Sequence, residues 1–375
     1  MVKVCHVTSV HAPEDGRIFQ RECDSLVKAG YDVTLVQQGG SYEKNGIHIV
    51  GFGEKETSRL RRMLHTSKNA YEKAVEVDAD IYHLHDPELL PYGLKLKKLG
   101  KKVIFDSHED VPGDILGKEW IPSFLRKPIS RVYQWYEGRC FRRLDGTICV
   151  TPSVLTRMEA EGAHAEMVSN FPTLVSDLPQ PTFRERRVAF PGLISSLWCM
   201  DTVVQAIDQV DDVTLELRSG DADEAYLEKL KAMPGWKKVN FPGKVSHREV
   251  LELLSTSTCG IAILEYCPAV GWNLGTLGNT KIFEYMMAGI PMVCTDFTLW
   301  KEIVDTWQCG ICVPPDDPNA IADAIRYLLD HPEEARRMGE NGRRAVEEVY
   351  NWSTEEKKLL AFYGGLLNPE KDVKR

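Results

Sequence analysis

Gly275-Thr276-Leu277-Gly278-Asn279-Thr280-Lys281-Ile282-Phe283-Glu284-Tyr285-Met286-Met287-Ala288-Gly289-Ile290-Pro291-Met292-Val293-Cys294-Thr295-Asp296 reads as a glycine-bearing loop, a short helix and a buried strand. Lys281 to Ala288 are good helix formers, Gly289 supplies a stop just past the end, and Pro291 prevents continuation. A loop that feeds a helix N-terminus offers backbone N–H groups and the positive end of a dipole, which suits a phosphate. Lys281 adds a full charge there, and Glu284, one turn on, can accept hydrogen bonds from a ribose diol. The bland alternative is a surface helix whose Lys281 and Glu284 are merely solvated.

The same strand and helix alternation runs through the rest of the chain. Val2 to Thr8 reads as a first strand, Ser9 to Arg17 as a polar loop, Ile18 to Ala29 as a helix stopped by Gly30, and Tyr31 to Val36 as the next strand. Strands are expected at 81–85, 102–106 and 147–150, the last closing a first sheet, with helices at 88–99 and 121–144. The Pro-rich tract 171–182 reads as a linker. The rhythm restarts with strands at 188–192, 213–217, 239–241 and 259–264 and helices at 201–210, 247–255 and 318–329. A charged helical region, 332–365, breaks at Tyr350-Asn351-Trp352. Repeated βαβ units predict parallel sheets, and two doubly wound α/β domains place the ligand in a cleft outside the carboxyl ends of strands.

Composition narrows the class. A chain of 375 residues exceeds what one core usually serves, and 43% hydrophobic with 27% charged residues is globular. A net charge of −9 disfavours a nucleic-acid binder. No apolar run reaches membrane-span length and the N-terminus lacks a signal-peptide pattern, so a cytoplasmic protein is expected. The ten cysteines sit mostly in apolar runs, as buried thiols do. Cys309 and Cys312 have redox or zinc spacing without a second pair, and His83, His85 and Asp86 could hold a metal only if strand residues on opposite faces converged; no metal site is assigned. Basic residues at 121–144 interleave with Trp120, Phe124, Trp135, Tyr136 and Phe141. Such a stretch either lies on an anionic surface or packs its aromatics inward. The signatures of P-loop hydrolases, Gly-x-Gly-x-x-Gly dinucleotide enzymes, Gly-x-Ser-x-Gly hydrolases and zinc proteases do not occur.

Thr280-Lys281-Ile282-Phe283-Glu284-Tyr285-Met286-Met287-Ala288-Gly289-Ile290-Pro291 resembles the Lys-x-x-Glu-Tyr-Met-x-x-Gly-x-Pro donor motif of family 4 retaining glycosyltransferases of the GT-B fold. His11 to Phe19, His85-Asp86-Pro87-Glu88-Leu89-Leu90 and Phe105-Asp106-Ser107-His108-Glu109 resemble polysaccharide-assembly members of that family. The resemblance implies GT-B architecture, two doubly wound Rossmann-like domains facing a central cleft. An acceptor-binding domain would cover 1–175, with the helix at about 354–375 packing back on it, and a donor-binding domain 186–353.

It further implies transfer of a sugar, with retention, from a nucleotide-diphosphate donor. No cofactor or metal is obligatory, and a UDP-sugar is the favoured donor. Glu284 would hold the ribose, and Lys281 with the backbone after Gly275 the diphosphate. His108 would face the donor sugar, and Gly16 would admit the leaving phosphate to the backbone. Arg17, His85, Asp86 and Glu109 fall on the acceptor side.

Two positions depart from the family pattern. Thr276 stands where many members carry a Glu, which moves sugar contacts to the backbone of Leu277 and Gly278. Trp198 stands near where an Arg falls after Gly192, leaving Arg218, Lys244 or Lys281 to neutralise the phosphates. The acceptor would be a glycan or lipid-linked glycan in cell-surface polysaccharide biosynthesis. Arg59, Arg61, Arg62, Lys68 and Lys73, with the 121–144 helix, would favour peripheral association with an anionic inner membrane. Two other readings share the pattern: a GT-B epimerase or hydrolase of UDP-sugars using Glu109 or Asp110, and a non-catalytic two-lobed binding protein.

Overall fold

The βα rhythm resolves into two α/β units, one formed by Met1–Asn170 with the chain's return from Trp352, the other by Phe171–Asn351. The computed structural model describes residues 1–54, 56, 65–219 and 222–367.

The first unit is built on strands β1 (Lys3–Val7), β2 (Asp32–Gln37), β3 (Tyr42–Lys44), β4 (Ile47–Gly51), β5 (Ile81–Leu84), β6 (Lys102–Ser107), β7 (Gly146–Cys149) and β8 (Ala165–Met167). They lie in the order β3-β4-β2-β1-β5-β6-β7-β8, parallel throughout except for the β3–β4 hairpin. The expected closing strand at 147–150 is therefore not the edge: β8 pairs outside it, too short and too polar to announce itself in the sequence. Strand periodicity deals Cys5, Val7, Tyr82, Leu84, Val103 and Phe105 to one apolar face. Val4, Ile81, Ile104 and Ile148 go to the other, beneath the helix Trp352–Leu367. Both faces are covered, as a parallel sheet requires.

That last helix is tied down at several points. Trp352 Nε1 donates to Ser25 Oγ at 2.9 Å, the Ser169 N–H donates to the buried Glu355 at 2.6 Å, and Leu359, Phe362, Tyr363 and Leu366 are buried. The expected helix at 18–29 forms, but its first part, Ile18–Cys23, is a wide π-turn segment with the Gln20 N–H bonded to the Asp15 carbonyl. An i→i+5 repeat brings residues five apart to one side, here Arg17 and Glu22.

The second unit holds β9 (Arg187–Pro191), β10 (Thr214–Arg218), β11 (Val239–Asn240), β12 (Cys259–Ala262), β13 (Met292–Thr295) and β14 (Gly310–Val313). Their order, β11-β10-β9-β12-β13-β14, is the 3-2-1-4-5-6 arrangement of a doubly wound sheet, whose order reverses between β9 and β12. Its helices start on local signals. Ser246 and Glu249 form a capping box for His247–Thr256, and the Asp317 carboxylate accepts from the N–H groups of Asn319 and Ala320 ahead of Pro318–Asp330. The helix Lys281–Ala288 forms as expected and ends on Gly289 at φ +74°.

The tract read as a linker is instead docked on this unit. Phe171 is buried in its core, Val175, Leu178 and Phe183 pack against it, and the Thr182 N–H donates to the Ser255 carbonyl. Proline content marked an extended segment correctly, but its apolar residues bind it to a surface. Cys309 and Cys312 do not face each other: strand register sets Cys294 opposite Cys312, with sulfurs 3.8 Å apart.

Two glycines give opposite expectations. A Cβ on Gly339, inside the helix Pro332–Glu348, would stand 2.0 Å from the Gly289 carbonyl oxygen, whereas one on Gly364 meets nothing within 4 Å. Gly339→Ala should cost about 1–3 kcal/mol by forcing that helix off the turn, and Gly364→Ala should be neutral or stabilising by about 0.5–1 kcal/mol. Thermal unfolding of the two variants beside the parent checks both signs.

Candidate active site

In the second unit the site grows from the carboxyl end of β9. Lys281, first residue of its helix, sends its ammonium to the Pro191 carbonyl at 3.2 Å. The Nζ lies 5.1 Å from the Phe190 ring centre and 4.9 Å from that of Trp198, a cation–π seat on two faces. Gly192 makes the room, since a Cβ there would fall 2.2 Å from Nζ. Burial pulls the Lys281 pKa below its ordinary value, partly offset by Glu284. Glu284 is half-buried and accepts from Thr280 Oγ1 at 2.8 Å.

The loop before this helix is held from behind. Gly275 has φ +82°, and a Cβ on it would strike Phe297 at 2.5 Å. The Thr276 carbonyl accepts from Trp300 Nε1 at 2.7 Å, and Asn279 Oδ1 accepts from the Lys281 N–H at 3.2 Å. Tyr285, fully buried, donates to the Ile261 carbonyl at 2.9 Å and lies flat on Gly260, where a Cβ would meet its ring at 2.4 Å. This tyrosine fixes the helix beneath β9 and β12; sequence reading took it only as part of a motif.

Two expected donor contacts need correction. The Gly278 N–H is not free for a sugar, because it donates to Thr276 Oγ1 at 3.0 Å. Leu277 buries its side chain in the core, which leaves the expectation for its backbone untouched. Arg218 is not a spare phosphate cation: its guanidinium pairs with Glu216 at 2.6 Å, two residues back on the same strand face, and donates to the Leu217 and Asn240 carbonyls. Lys244 is exposed in the loop after β11. Of the three cations that could stand in for the missing arginine, Lys281 is the one seated beside Trp198.

In the first unit the polar residues gather at the carboxyl ends of β1, β5 and β6, where that sheet's order also reverses. Register sets His6 beside His83; His85 and His108 each follow a strand end. His85 Nδ1 is 3.1 Å from His108 Nε2, and His85 Nε2 is 2.9 Å from His6 Nδ1. His108 Nε2 also lies 3.2 Å from Asp106 Oδ2, and its ring packs 4.7 Å from that of His11. His6, Glu22, His83 and His85 bring ligand-type atoms within 4.8 Å of one another, as do His85, Asp106 and His108. The Arg17 guanidinium already supplies the positive charge these carboxyls face, so the set is a hydrogen-bonded network built around that cation.

This arrangement corrects the acceptor-side expectations. Arg17 is buried, with Nε 3.0 Å from Asp106, Nη1 donating to the Val168 carbonyl at 2.9 Å, and Glu22 at 2.9 Å. Asp86 is buried too, accepting from Thr8 Oγ1 and the Ser9 and Val10 N–H groups, so it shapes the loop after β1. Burial would raise its carboxyl, yet the His11 bond and these donors hold it well below the carboxylate range. His85 is sealed beneath His108.

Glu109 is exposed beside Asp114, which burial and Glu109 push up to about 8. Asp110 faces Arg157 at 3.2 Å. Gly16 is exposed and a Cβ on it would meet nothing within 4 Å, so the fold itself does not call for glycine there. Arg59, Arg61 and Arg62 lie outside the described residues; Lys68 and Lys73 pair with Glu72 and Glu76 along their own helix.

A family profile described as "Glycosyl transferases group 1" matches residues 200–345, and one described as "Glycosyltransferase Family 4" matches residues 16–173. The MMP alpha-(1->4)-mannosyltransferase of Mycolicibacterium hassiacum is 25% identical over 75% of this chain and 69% of its own. The phosphatidyl-myo-inositol mannosyltransferase of Mycobacterium leprae is 25% identical over 82% of this chain and 76% of its own. Among solved structures, sucrose-phosphate synthase of Thermosynechococcus elongatus superposes with TM-score 0.78 at 17% identity over 98% of this chain and 99% of its own. Anabaena HepE, solved with UDP and glucose, gives 0.73 at 13% identity over 97% and 100%.

The buried imidazoles make stability pH-dependent. From the ordinary 6.5, His85 falls to about 4, through burial first and neighbouring His108 and His11 charge, against the Asp106 bond; burial takes His6 and His83 well down too. Groups depressed by folding stabilise the fold above 6.5 and lose that contribution as pH falls toward 4, each at about 1.4 kcal/mol per unit of depression. His11 moves oppositely: burial lowers it but its Asp86 bond and charge raise it further, so its contribution fades as pH rises. Asp114, Glu137 and Glu22, pushed up mainly by burial, act with His11 against the three imidazoles in this window. The imidazole part is therefore read as a difference: between pH 6.5 and 4 the unfolding midpoint of the parent should fall relative to that of His85→Gln, and parallel curves would mean His85 is not held neutral.

Proposed function

Given that the chain belongs to the family 4 glycosyltransferases and has the GT-B fold, we propose that it moves a hexose, with retention, from a UDP-sugar to a glycan or lipid-linked glycan acceptor in cell-surface polysaccharide assembly. The observation that carries this reading is the seat of Lys281 at the carboxyl end of β9, beside the point where the sheet order reverses, with Glu284 one turn along the same helix. Breaking a sugar–phosphate bond puts charge on the leaving diphosphate. A fixed cation and helix N–H dipoles at that position lower the barrier without a side-chain nucleophile.

In this reading Lys281 meets the diphosphate, Glu284 the ribose hydroxyls, and Thr276 with the Leu277 backbone the donor sugar. His108 takes part in binding that sugar, and Gly16 admits phosphate to the backbone. Residues 186–353 serve the donor and 1–175 the acceptor. HepE, which holds UDP and UDP-glucose, supports a uridine donor. The mannosyl- and rhamnosyltransferases among the relatives support a hexosyl group and lipid or glycan acceptors.

The helix Ser123–Phe141 supports work at a membrane surface. Phe124, Val132 and Trp135 are 76, 65 and 63% exposed, with Leu125 and Ile129 between them and Lys127, Arg131 and Arg139 alongside. An exposed apolar stripe of this kind, flanked by cations, fits an anionic lipid interface. No helix among the described residues is long and apolar enough to cross a membrane.

Titration calorimetry with UDP and with GDP tests the donor class: heat with UDP is expected, and none with either nucleotide would sink the reading. Lys281→Met and Glu284→Ala should each raise the donor KM about 10–100-fold, the loss of one charged hydrogen bond. Co-sedimentation should show the protein on vesicles containing phosphatidylglycerol but not on pure phosphatidylcholine. Val132→Ser with Trp135→Ser should release it, and equal binding by parent and variant would discard this helix as the docking face.

A further inference from the structure

Beneath His108 the buried imidazoles form one hydrogen-bonded line, and its direction can be derived from one end. Asp106 accepts from Arg17 Nε at 3.0 Å and Nη2 at 3.1 Å. Burial would raise this carboxyl, but the guanidinium and then His108 hold it well below the usual range. Glu22 faces the same single cation; burial and Asp106 push it up, so Asp106 carries the negative charge and Glu22 keeps its proton.

An ionised carboxylate only accepts. His108 Nε2, 3.2 Å from Asp106 Oδ2, must therefore bear a proton. His85 Nδ1 is the farther of the two from that oxygen, at 3.5 Å, and sits 3.1 Å from His108 Nε2, from which it accepts; the His85 proton is then on Nε2, 2.9 Å from His6 Nδ1. His6 then accepts at Nδ1 and donates from Nε2 to the Tyr363 hydroxyl at 3.4 Å. That hydroxyl donates in turn to His83 Nδ1 at 2.8 Å. The line ends on His83 Nε2–H, a buried group with no hydrogen-bond partner among the described residues. A buried N–H without a partner is unfavourable, so the line's direction is imposed from the Asp106 end. Running the line the other way would set the lone pair of the nearer nitrogen, His108 Nε2, against the Asp106 carboxylate.

We propose that Asp106, held by Arg17, is a positioning residue that fixes His108 as its Nε2–H tautomer and leaves Nδ1 as a hydrogen-bond acceptor for a hydroxyl of the substrate sugar. The same ion pair sets the tautomers of His85, His6 and His83, as far as Tyr363 on the last helix. The role for Nδ1 rests on the reading that His108 takes part in binding the donor sugar; the tautomer assignment does not.

Asp106→Asn is the test. Its amide would turn N–H groups toward His108 Nε2, while Glu22, 2.9 Å from Arg17, can ionise and keep the guanidinium paired. Nitrogen-15 NMR of the imidazoles should show Nε2–H on His108, His85, His6 and His83 in the parent. All four should convert to Nδ1–H in Asp106→Asn. Adding Tyr363→Phe, which keeps the ring and removes the hydroxyl, should free His83 from the others. Nδ1–H on any of the four rings in the parent, or Nε2–H retained by His108 in Asp106→Asn, overturns the proposal. In turnover, Asp106→Asn should lower kcat about tenfold with donor KM unchanged, as expected for a group that has lost its acceptor nitrogen. His108→Ala tests the other reading by itself. Full turnover in that variant would remove His108 from the sugar while leaving the NMR result standing.

Discussion

The buried guanidinium of Arg17 is the interaction on which the first unit's polar centre depends. It pairs with Asp106 and Glu22 and bonds the Val168 carbonyl, joining the loop after β1 to β6 and to the end of β8. Taking one cation and two carboxyls out of water is costly, and the set is tolerable only because every charge is matched. One guanidinium faces two carboxyls, holding Asp106 down while burial pushes Glu22 up, and burial disfavours charge on His6, His83 and His85. Replacing Arg17 alone would leave a buried negative charge with no counterpart. Its side chain is thus a structural centre, although it sits in a stretch that looks like a substrate loop.

Both sheets place chemistry where their order reverses. The loops leaving adjacent parallel strands diverge there to opposite faces, so side chains at the strand ends are not covered by a crossover helix. In the first unit the strands β1, β5 and β6 change from apolar to polar at their carboxyl ends: His6, His83 with His85, and Asp106 with His108. In the second, β9 ends at Pro191 and Gly192, and the Lys281 ammonium settles into the gap a side chain would have filled. The apolar parts of the same strands build the cores, so the sites are extensions of the packing and inherit its rigidity.

Much of this was legible in the sequence. Strands such as Cys259–Ala262 announce themselves as short apolar runs, and the Lys281–Ala288 helix carries its own stop in Gly289. Local pattern fails where the deciding partner is distant. β8 is three half-buried residues that only a neighbouring strand makes into a strand. Arg17 reads as the end of a polar loop on the acceptor side because its partner Asp106 lies 89 residues away. Arg218 looked free because Glu216, though close in sequence, points to the same side only once the strand exists. The aromatics of the helix Ser123–Phe141 left both outcomes open, and the structure divides them, with Phe141 buried while Phe124 and Trp135 are exposed.

Trp198 shows how a departure from a family pattern can be compensated on site. A second cation where the indole stands would lie close to the half-buried Lys281 ammonium and lower its pKa further by like-charge repulsion. The indole and the Phe190 ring instead offer two negative faces near 5 Å, which stabilise the charge that burial opposes. An aromatic face does not neutralise the ammonium as a carboxylate would, so its field still reaches outward. One well-seated charge with an undiminished field can therefore serve where two partly solvated ones would otherwise be needed, and under the proposed function it leaves donor recognition to Lys281 and to Glu284, which shares its helix.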